Sequence, residues 1–254
     1  MQAISHFLSV TQNVNRPILT HYHSFRDEIS GPVAARWVAK MANLLASDLS
    51  PDLFGDSESA PRILINLPGG WQSTFWQVSA NFMGWETRTD TISQDSPSIA
   101  FSFDVHVSDE LVTLEASTAA WRLAHSITPL AMRWRGPLPA GILDALAELM
   151  AQSDQFEYEA LESAPALDNY IAQADAEEDA LFKAASALGM PTRLGLYTEN
   201  FPSAPLLTRL WLAGHSVVIV DKSHYDAQKA QEIFASEKVQ LAVNEELKAP
   251  HSRG

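Results

Sequence analysis

Cysteine is absent from all 254 residues. Disulfides, thiolate nucleophiles and cysteine-ligated metals are therefore excluded. Basic residues are scarce: 17 Lys and Arg stand against 31 Asp and Glu, for a formal net charge of -14. Sequence-independent nucleic-acid binding works by neutralising phosphates with Lys and Arg, and adhesion to anionic membranes draws on the same charges. Neither partner class is expected. No apolar run approaches the roughly 20 residues that cross a bilayer. The N-terminal MQAISHFLSVTQNVNRP lacks the basic start and apolar core of a signal peptide, so the expected location is the cytoplasm. Three catalytic signatures are missing as well. There is no GxxxxGK[ST] phosphate loop, no GxGxxG dinucleotide turn and no GxSxG elbow. Ser73, Ser117 and Ser126 have no context that marks a nucleophile. No catalytic residue and no metal ligand set is assigned.

What remains is a chain with 46% hydrophobic and 19% charged residues, the composition of a folded domain. Residues 1–16 read as a short helix through Ile4, Phe7, Leu8 and Val10. Ile18–His23 and Arg26–Ile29 read as a hairpin. Ser30 caps a helix with Pro32 in its first turn, an apolar stripe of Val33, Trp37, Met41, Leu44 and Leu45, and Arg36, Lys40 and Asn43 on the other side. That pattern describes a surface helix on a sheet. Ser50–Pro61 is a loop, Arg62–Leu67 a buried strand, and Trp71–Met83 a helix ended by Gly84. Thr87–Thr91, Ser98–Val107 and Leu111–Glu115 read as strands, and Gly141–Met150 as a helix. Residues 116–136 fit no single pattern, and Trp121 and Trp134 in them require burial.

Between Asp154 and Asp179 the chain has seven further carboxylates and no basic residue. Such a run serves either as a cation or basic-partner surface or, more plainly, as a solvated loop leading into a helix. Beyond it the pattern is regular. A helix runs to about Leu188, then come strand Thr192–Thr198, helix Pro202–Ala213, strand Ser216–Asp221, helix Tyr225–Ser236 and strand Val239–Val243. Strands alternating with helices predict an α/β fold in three layers, a largely parallel sheet with helices on both faces. The expected organisation is one domain over residues 1–245, or two lobes at about 1–150 and 175–245 joined by the acidic segment. Residues 246–254 form a loose tail.

Three places invite chemistry. The turn Pro68-Gly69-Gly70-Trp71-Gln72 joins a strand to a helix N-terminus, where backbone N–H groups hold anions. Gly69, Gly70, Trp71 and Gln72 form either a ligand turn for an anion or small acyl group or simply a tight connection. Trp71 and Trp76 read as core residues. Asp221, Ser223 and His224 follow a parallel strand, where open α/β sheets bind ligands. Asp221 or Ser223 serves equally well as an N-cap for the next helix. His21 and His23 share one strand face, as do Asp104 and His106. These four would bind zinc only if their strands met.

Three segments together resemble a known family: ILTHYHSFRDEISGPVAARWVAKMANLLASDL, RILINLPGGWQSTFWQVSANFMGW, and LYTENFPSAPLLTRLWLAGHSVVIVD with the following helix and SEKVQLAV. Their order is similar to the N-terminal portion of the AMP-binding, acyl-adenylate-forming enzymes, the superfamily of acyl-CoA synthetases and luciferases. Short relatives of those enzymes also match WVAKMANLL, LPGGWQS and PLPAGILD. The resemblance covers residues 16–245 and implies AMP, ATP or acyl-CoA as ligands. Departures from the family are specific. Its Ser/Thr- and Gly-rich loop ending in Pro-Lys-Gly has no counterpart, and the fragment Glu115–Ala119 has neither the glycines nor the lysine. Leu196-Tyr197-Thr198-Glu199 echoes the family's adenine-side motif without its glycine and on a different strand. The ribose-binding Asp and the C-terminal domain with the catalytic lysine are expected to be missing. Three functions follow as expectations. The first is a non-catalytic homologue that binds a small acyl or nucleotide-like ligand or a protein partner. The second is an acyl-adenylate or acyl-CoA ligase completed by another chain. The third is an interaction protein, a homodimer, without a small-molecule site.

Overall fold

The computed structural model describes residues 3–14, 16–50, 60–89, 102–160 and 164–244. Most of the loop expected at 50–61, the end of the 87–91 strand, the start of the 98–107 strand and the tail lie outside the described residues. In chain order, α1 (Ala3–Gln12) precedes the hairpin β1 (Pro17–Tyr22) and β2 (Arg26–Ser30), then α2 (Gly31–Ala46). Next come β3 (Arg62–Asn66), α3 (Trp71–Met83), β4 (Glu86–Arg88), β5 (Val105–Ser108) and α4 (Leu111–Ala116). They are followed by β6 (Trp121–Ala124), β7 (Leu143–Asp144), α5 (Ala145–Ala151), α6 (Leu167–Ile171) and α7 (Ala176–Ser186). The chain continues with β8 (Arg193–Thr198), α8 (Ala204–Leu212), β9 (Ser216–Asp221), α9 (Ala227–Ser236) and β10 (Leu241–Asn244). Among the described residues, no helix is long and apolar enough to cross a membrane.

Two compact units divide these elements. The first comprises Met1–Leu8, Ala35–Pro68 and Gln72–Tyr170; the second comprises Ser9–Ala34, Gly69–Trp71 and Ile171–Gly254. The α/β reading holds, and the strands fall into two five-stranded sheets, one in each unit.

The first unit's sheet runs β4-β3-β5-β6-β7 with every pair parallel. Strand order reverses beside β3, which places a topological switch point at the C-terminal ends of β3 and β5. Hydroxyls of the chain occupy that point. Asn66 Nδ2 donates to Ser108 Oγ at 3.4 Å, and Ser108 Oγ also lies 2.8 Å from Thr113 Oγ1 and accepts from Glu110 N–H at 3.0 Å.

Three expectations need correction here. Leu111–Glu115 is helix α4 rather than a strand. Leu111 and Leu114, three apart, pack on one face with Ala124 and Ile142, while Val112 between them is 61% exposed. Residues 141–150 open as strand β7 because Gly141 has φ +78, which a helix cannot use. The helix starts only after Asp144, whose carboxylate accepts from the N–H groups of Leu146 and Ala147. Finally, α2 is no surface helix, for Lys40 and Asn43 are buried along with Met41, Leu44 and Leu45, while Val33 and Trp37 are half-buried and only Arg36 of the expected polar side is exposed. The burial of Lys40 and Asn43 is satisfied by the start of the acidic run. Lys40 pairs with Asp154 at 2.9 Å and donates to the Gln152 carbonyl. Asn43 Nδ2 donates to the carbonyls of Ser153 (3.2 Å) and Gln155 (2.8 Å), and its Oδ1 accepts from Glu157 N–H at 3.1 Å.

The second unit's sheet runs β10-β8-β9-β1-β2. β10, β8, β9 and β1 are parallel, and only β1 and β2 pair antiparallel. The apolar run of β9, SVVIVD, has no polar face to give to solvent and needs neighbours on both sides. β8 supplies one and the N-terminal hairpin the other. Val218 and Val220 pack against Ala230, Ile233 and Phe234 of α9. Gly195 permits this closeness, since a Cβ there would lie 2.9 Å from the Phe234 ring. α8 covers β9 with α7 against it.

An ion-pair network ties the hairpin to the later strands. Arg193 Nη2 meets Glu237 Oε2 at 2.5 Å and donates to Thr20 Oγ1 at 3.0 Å, while Arg26 Nη2 lies 3.0 Å and Tyr22 OH 2.6 Å from Glu237 Oε1. Burial alone would raise the Glu237 pKa, but the hydrogen bonds from Tyr22, Arg193 and Arg26 outweigh it and hold the carboxyl below its usual range.

Glu237→Ala leaves Arg193 without its carboxylate and should cost about 2–4 kcal/mol in urea unfolding at pH 7. Because Glu237 has a depressed folded pKa, its contribution is present above the unfolded value and lost as pH falls through the folded one. The gap between wild type and Glu237→Ala should therefore narrow in acid.

Candidate ligand pocket

Helix α7 opens with a reciprocal capping box. Asp175 Oδ1 accepts from the N–H groups of Glu177 (2.9 Å) and Glu178 (2.8 Å), and Glu178 returns a carboxylate oxygen to Asp175 N–H at 3.4 Å. The Glu178 carboxylate also accepts from Ser203 N–H at 2.9 Å and Ser203 Oγ at 2.6 Å. Ser203 is the N-cap of α8, accepting from Leu206 N–H at 3.2 Å. One carboxylate thus joins the starts of two helices. Further along, Asp179 pairs with Arg209 at 2.6 Å and Lys183 at 2.6 Å. The acidic run is structural at both ends, a cap here and an anchor on α2 in the first unit.

A cavity of about 530 Å³ lies beside this junction, within the second unit. Buried Leu196 of β8 and Leu206 of α8 line it, with Leu181, Tyr197, Phe201, Pro202 and Val243. The Tyr197 ring is fixed because its hydroxyl donates to the Tyr225 carbonyl at 3.0 Å. Asp175, Glu177 and Glu178 line the same cavity. Its size lies within the range of small-molecule sites. Sequence reading did not assemble these residues. The signal was present in Asp175-x-x-Glu178 ahead of an apolar run and in Ser203 ahead of Ala204-Pro205, a capping box and an N-cap with proline in the first turn.

Phe201 also meets two of the places singled out from sequence, the glycine turn and the histidine pair on β1. A Cβ at Gly69 would fall 2.5 Å from Phe201 Cβ, so the bare backbone of the glycine turn is what admits this contact. The His21 ring meets Phe201 edge to face at 5.0 Å and stacks on His23 at 4.3 Å. Trp71 and Gln72 form the first turn of α3 and are half-buried, as is Gly70 before them. Beyond β9, Asp221 Oδ1 accepts from Ser223 N–H and Ser223 Oγ, both at 2.7 Å, and Ser223 Oγ lies 2.9 Å from His224 Nδ1. Neither Asp221 nor Ser223 caps α9. Asp226 does so, accepting from Lys229 N–H at 2.7 Å, because residues 222–226 separate the strand end from the helix. Ser223 and Asp221 both address His224 Nδ1, so this cluster lacks the opposed nitrogens of a Ser–His–Asp relay. Burial would raise the Asp221 pKa, but the Ser223 hydrogen bonds and His224 bring it below its usual range.

His21 and His23 belong to the second unit, and Asp104 and His106 to the first. Asp104 is committed to Arg62 N–H at 2.8 Å. Among the described residues, no group of three or more His, Asp or Glu is arranged to hold a metal ion. His106 and His125 are fully buried, and neither ring nitrogen of either has a hydrogen-bond partner among the described residues. Burial pushes each down to about 4. His21 is also lowered to about 4, first by burial and then by His23, against the opposing pull of Asp221.

No protein-family model matches the sequence, and no curated protein matches it. Solved structures do match in fold. The amide bond synthetase McbA from Marinactinospora thermotolerans superposes with a TM-score of 0.59 at 13% identity, over 94% of this chain and 48% of that one. The Klebsiella oxytoca NpsA N-terminal subdomain, in complex with 3-hydroxyanthranilyl-AMSN, gives 0.55 at 12% identity over 94% and 58%. An acyl-CoA synthetase from Brucella canis gives 0.59 at 14% identity over 96% and 47%. The chain thus shares the fold of these adenylate-forming enzymes and spans about half the length of their structures.

Two outcomes follow from this geometry. Gly69→Ala should destabilise the protein by about 1–3 kcal/mol through overpacking against Phe201, read as a lower urea midpoint at unchanged m. Native His21, His106 and His125 bind a proton only near pH 4, whereas unfolded histidine does so near 6.5. Stability is therefore full above about pH 6.5 and falls as pH drops towards 4. His106→Leu should flatten that fall in a series of thermal melts from pH 7 to 4.5.

Proposed function

We propose that this chain is a ligand-binding module on the adenylate-forming fold, holding a small molecule with an acyl or aryl body without activating it. The pocket of about 530 Å³ between α7, β8 and α8 is the observation behind this reading. Its lining combines apolar Leu181, Leu196, Leu206 and Phe201 with carboxylates from the start of α7 and with Thr198 and Asn200 at and after the end of β8, the mixed lining usual for a small-molecule site. A fold neighbour adds support: the N-terminal subdomain of NpsA holds 3-hydroxyanthranilyl-AMSN, an acyl-adenylate analogue.

The chemistry of activation argues for binding without catalysis. Adenylation must stabilise the charge that develops as pyrophosphate leaves, and fixed cationic and N–H donors supply this. The sequence has no Gly-rich run ending in Pro-Lys-Gly. Among the described residues lining the pocket there is no Lys, Arg or His.

Two assays on the purified chain test this. ATP–pyrophosphate exchange with a panel of aryl and acyl carboxylic acids should stay at background. Sustained exchange would replace the reading with an enzymatic one. A thermal-shift screen of aryl and acyl compounds should find at least one that raises the midpoint. A ligand at about 100 times its Kd stabilises by about 2.7 kcal/mol, roughly 5–10 °C for a chain of this size. A screen with no response favours an interaction protein instead.

A further inference from the structure

We propose that two copies of this chain associate through two complementary patches of the first unit. The basic, apolar loop over residues 128–135 of each copy seats on the acidic segment over residues 155–159 of the other. Both patches lie in the first unit, apart from the pocket of the second.

In a chain of net charge -14, residues 121–143 contain three Arg and no Asp or Glu. Two of these, Arg133 and Arg135, are exposed and make no ion pair among the described residues. Beside them Leu130 is 98% exposed and Met132 57%. Leu130 also holds φ +56, in a turn closed by Ala131 N–H on the Thr128 carbonyl at 3.1 Å. That backbone region favours glycine. A leucine there helps neither the turn nor the core, so what its side chain gains lies outside the monomer. The loop is anchored all the same. Trp134 N–H donates to the Asp144 carboxylate at 2.8 Å, and Trp134 and Leu138 pack on Leu114, Ala124 and Ile142.

The acidic segment is the counterpart. Asn43 holds its backbone through the carbonyls of Ser153 and Gln155 and the N–H of Glu157. Glu157, Tyr158 and Glu159 are left exposed, and neither glutamate makes an ion pair among the described residues. Opposite charge thus meets opposite charge, and Met, Arg and Tyr are residues that interface cores favour. A twofold axis makes the contact twice, loop to segment in both directions, the isologous closure usual in homodimers. A second copy is the partner favoured here because the chain itself presents the complementary charges. An anionic bilayer would repel a body of this net charge.

Analytical ultracentrifugation of the full chain across micromolar concentrations tests this. At low salt it should show a monomer–dimer equilibrium that added salt weakens. The double variant Arg133→Glu, Arg135→Glu should self-associate at least tenfold more weakly, and so should Glu157→Arg, Glu159→Arg. Mixing the two should restore a dimer, because each loop then meets a segment of opposite sign. Leu130→Gly relieves the turn, so its urea midpoint in dilute solution should not fall, while its dimer weakens at least tenfold. A wild type that stays monomeric to near-millimolar concentration overturns the proposal. So does a dimer that charge reversal leaves intact, or a pair of weakened variants that fail to associate on mixing. A monomeric wild type that sediments with phosphatidylglycerol vesicles assigns the loop to a lipid surface and likewise overturns the dimer.

Discussion

The parallel pairing of β1 with β9, Leu19 to Val217 through Tyr22 to Val220, is the constraint on which the second unit depends. It joins residues about 200 positions apart in the chain, so its closure is entropically expensive and must be secured by more than ladder hydrogen bonds. Trp211 Nε1 donates to the Ile18 carbonyl at 3.0 Å, and Arg193 reaches across to Thr20 while held by Glu237. With β1 in place, β9 is buried on both flanks and its apolar sequence becomes an asset. The hairpin then closes the sheet edge with β2, whose Arg26 returns to the same Glu237.

The pocket follows from that frame. β8 is held beside β9, α8 lies over the sheet, and the Glu178 carboxylate fixes α7 against the start of α8. A space lined by leucines and aromatic rings is left between them, with carboxylates at one side because the helix that borders it must be capped. The acidic character of the site is thus partly a consequence of how its walls are built. Asp175 and Glu178 serve as caps before they serve the pocket.

Much of this was legible in the residues. β9 and α3 have the limits read from their apolar patterns, and the hairpin was visible in the runs Ile18–His23 and Arg26–Ile29. The three family-like segments pointed to the fold that the solved structures share. What escaped has physical causes. Leu111–Glu115 is too short for period two to be told from period three. Lys40 and Asn43 look like the polar face of a helix, and their burial depends on carbonyls of residues 152–155 that no local pattern reveals. The pocket itself is assembled from α7, β8, α8 and β10, each ordinary alone. Asp221 and Ser223 resembled caps, yet the turn extended to Asp226. The glycine turn at Gly69 proved to be a place where Phe201 approaches bare backbone.

The central claim is that a small molecule occupies the cavity under α7 and is not activated there. Backbone amide NMR of the labelled chain during titrations with the aryl and acyl compounds of the thermal-shift screen tests it most directly. The account predicts saturable shifts concentrated at Leu181, Ala184, Leu196, Phe201 and Leu206, unchanged by ATP. Shifts scattered away from α7 and β8, or none at saturating ligand, would contradict it.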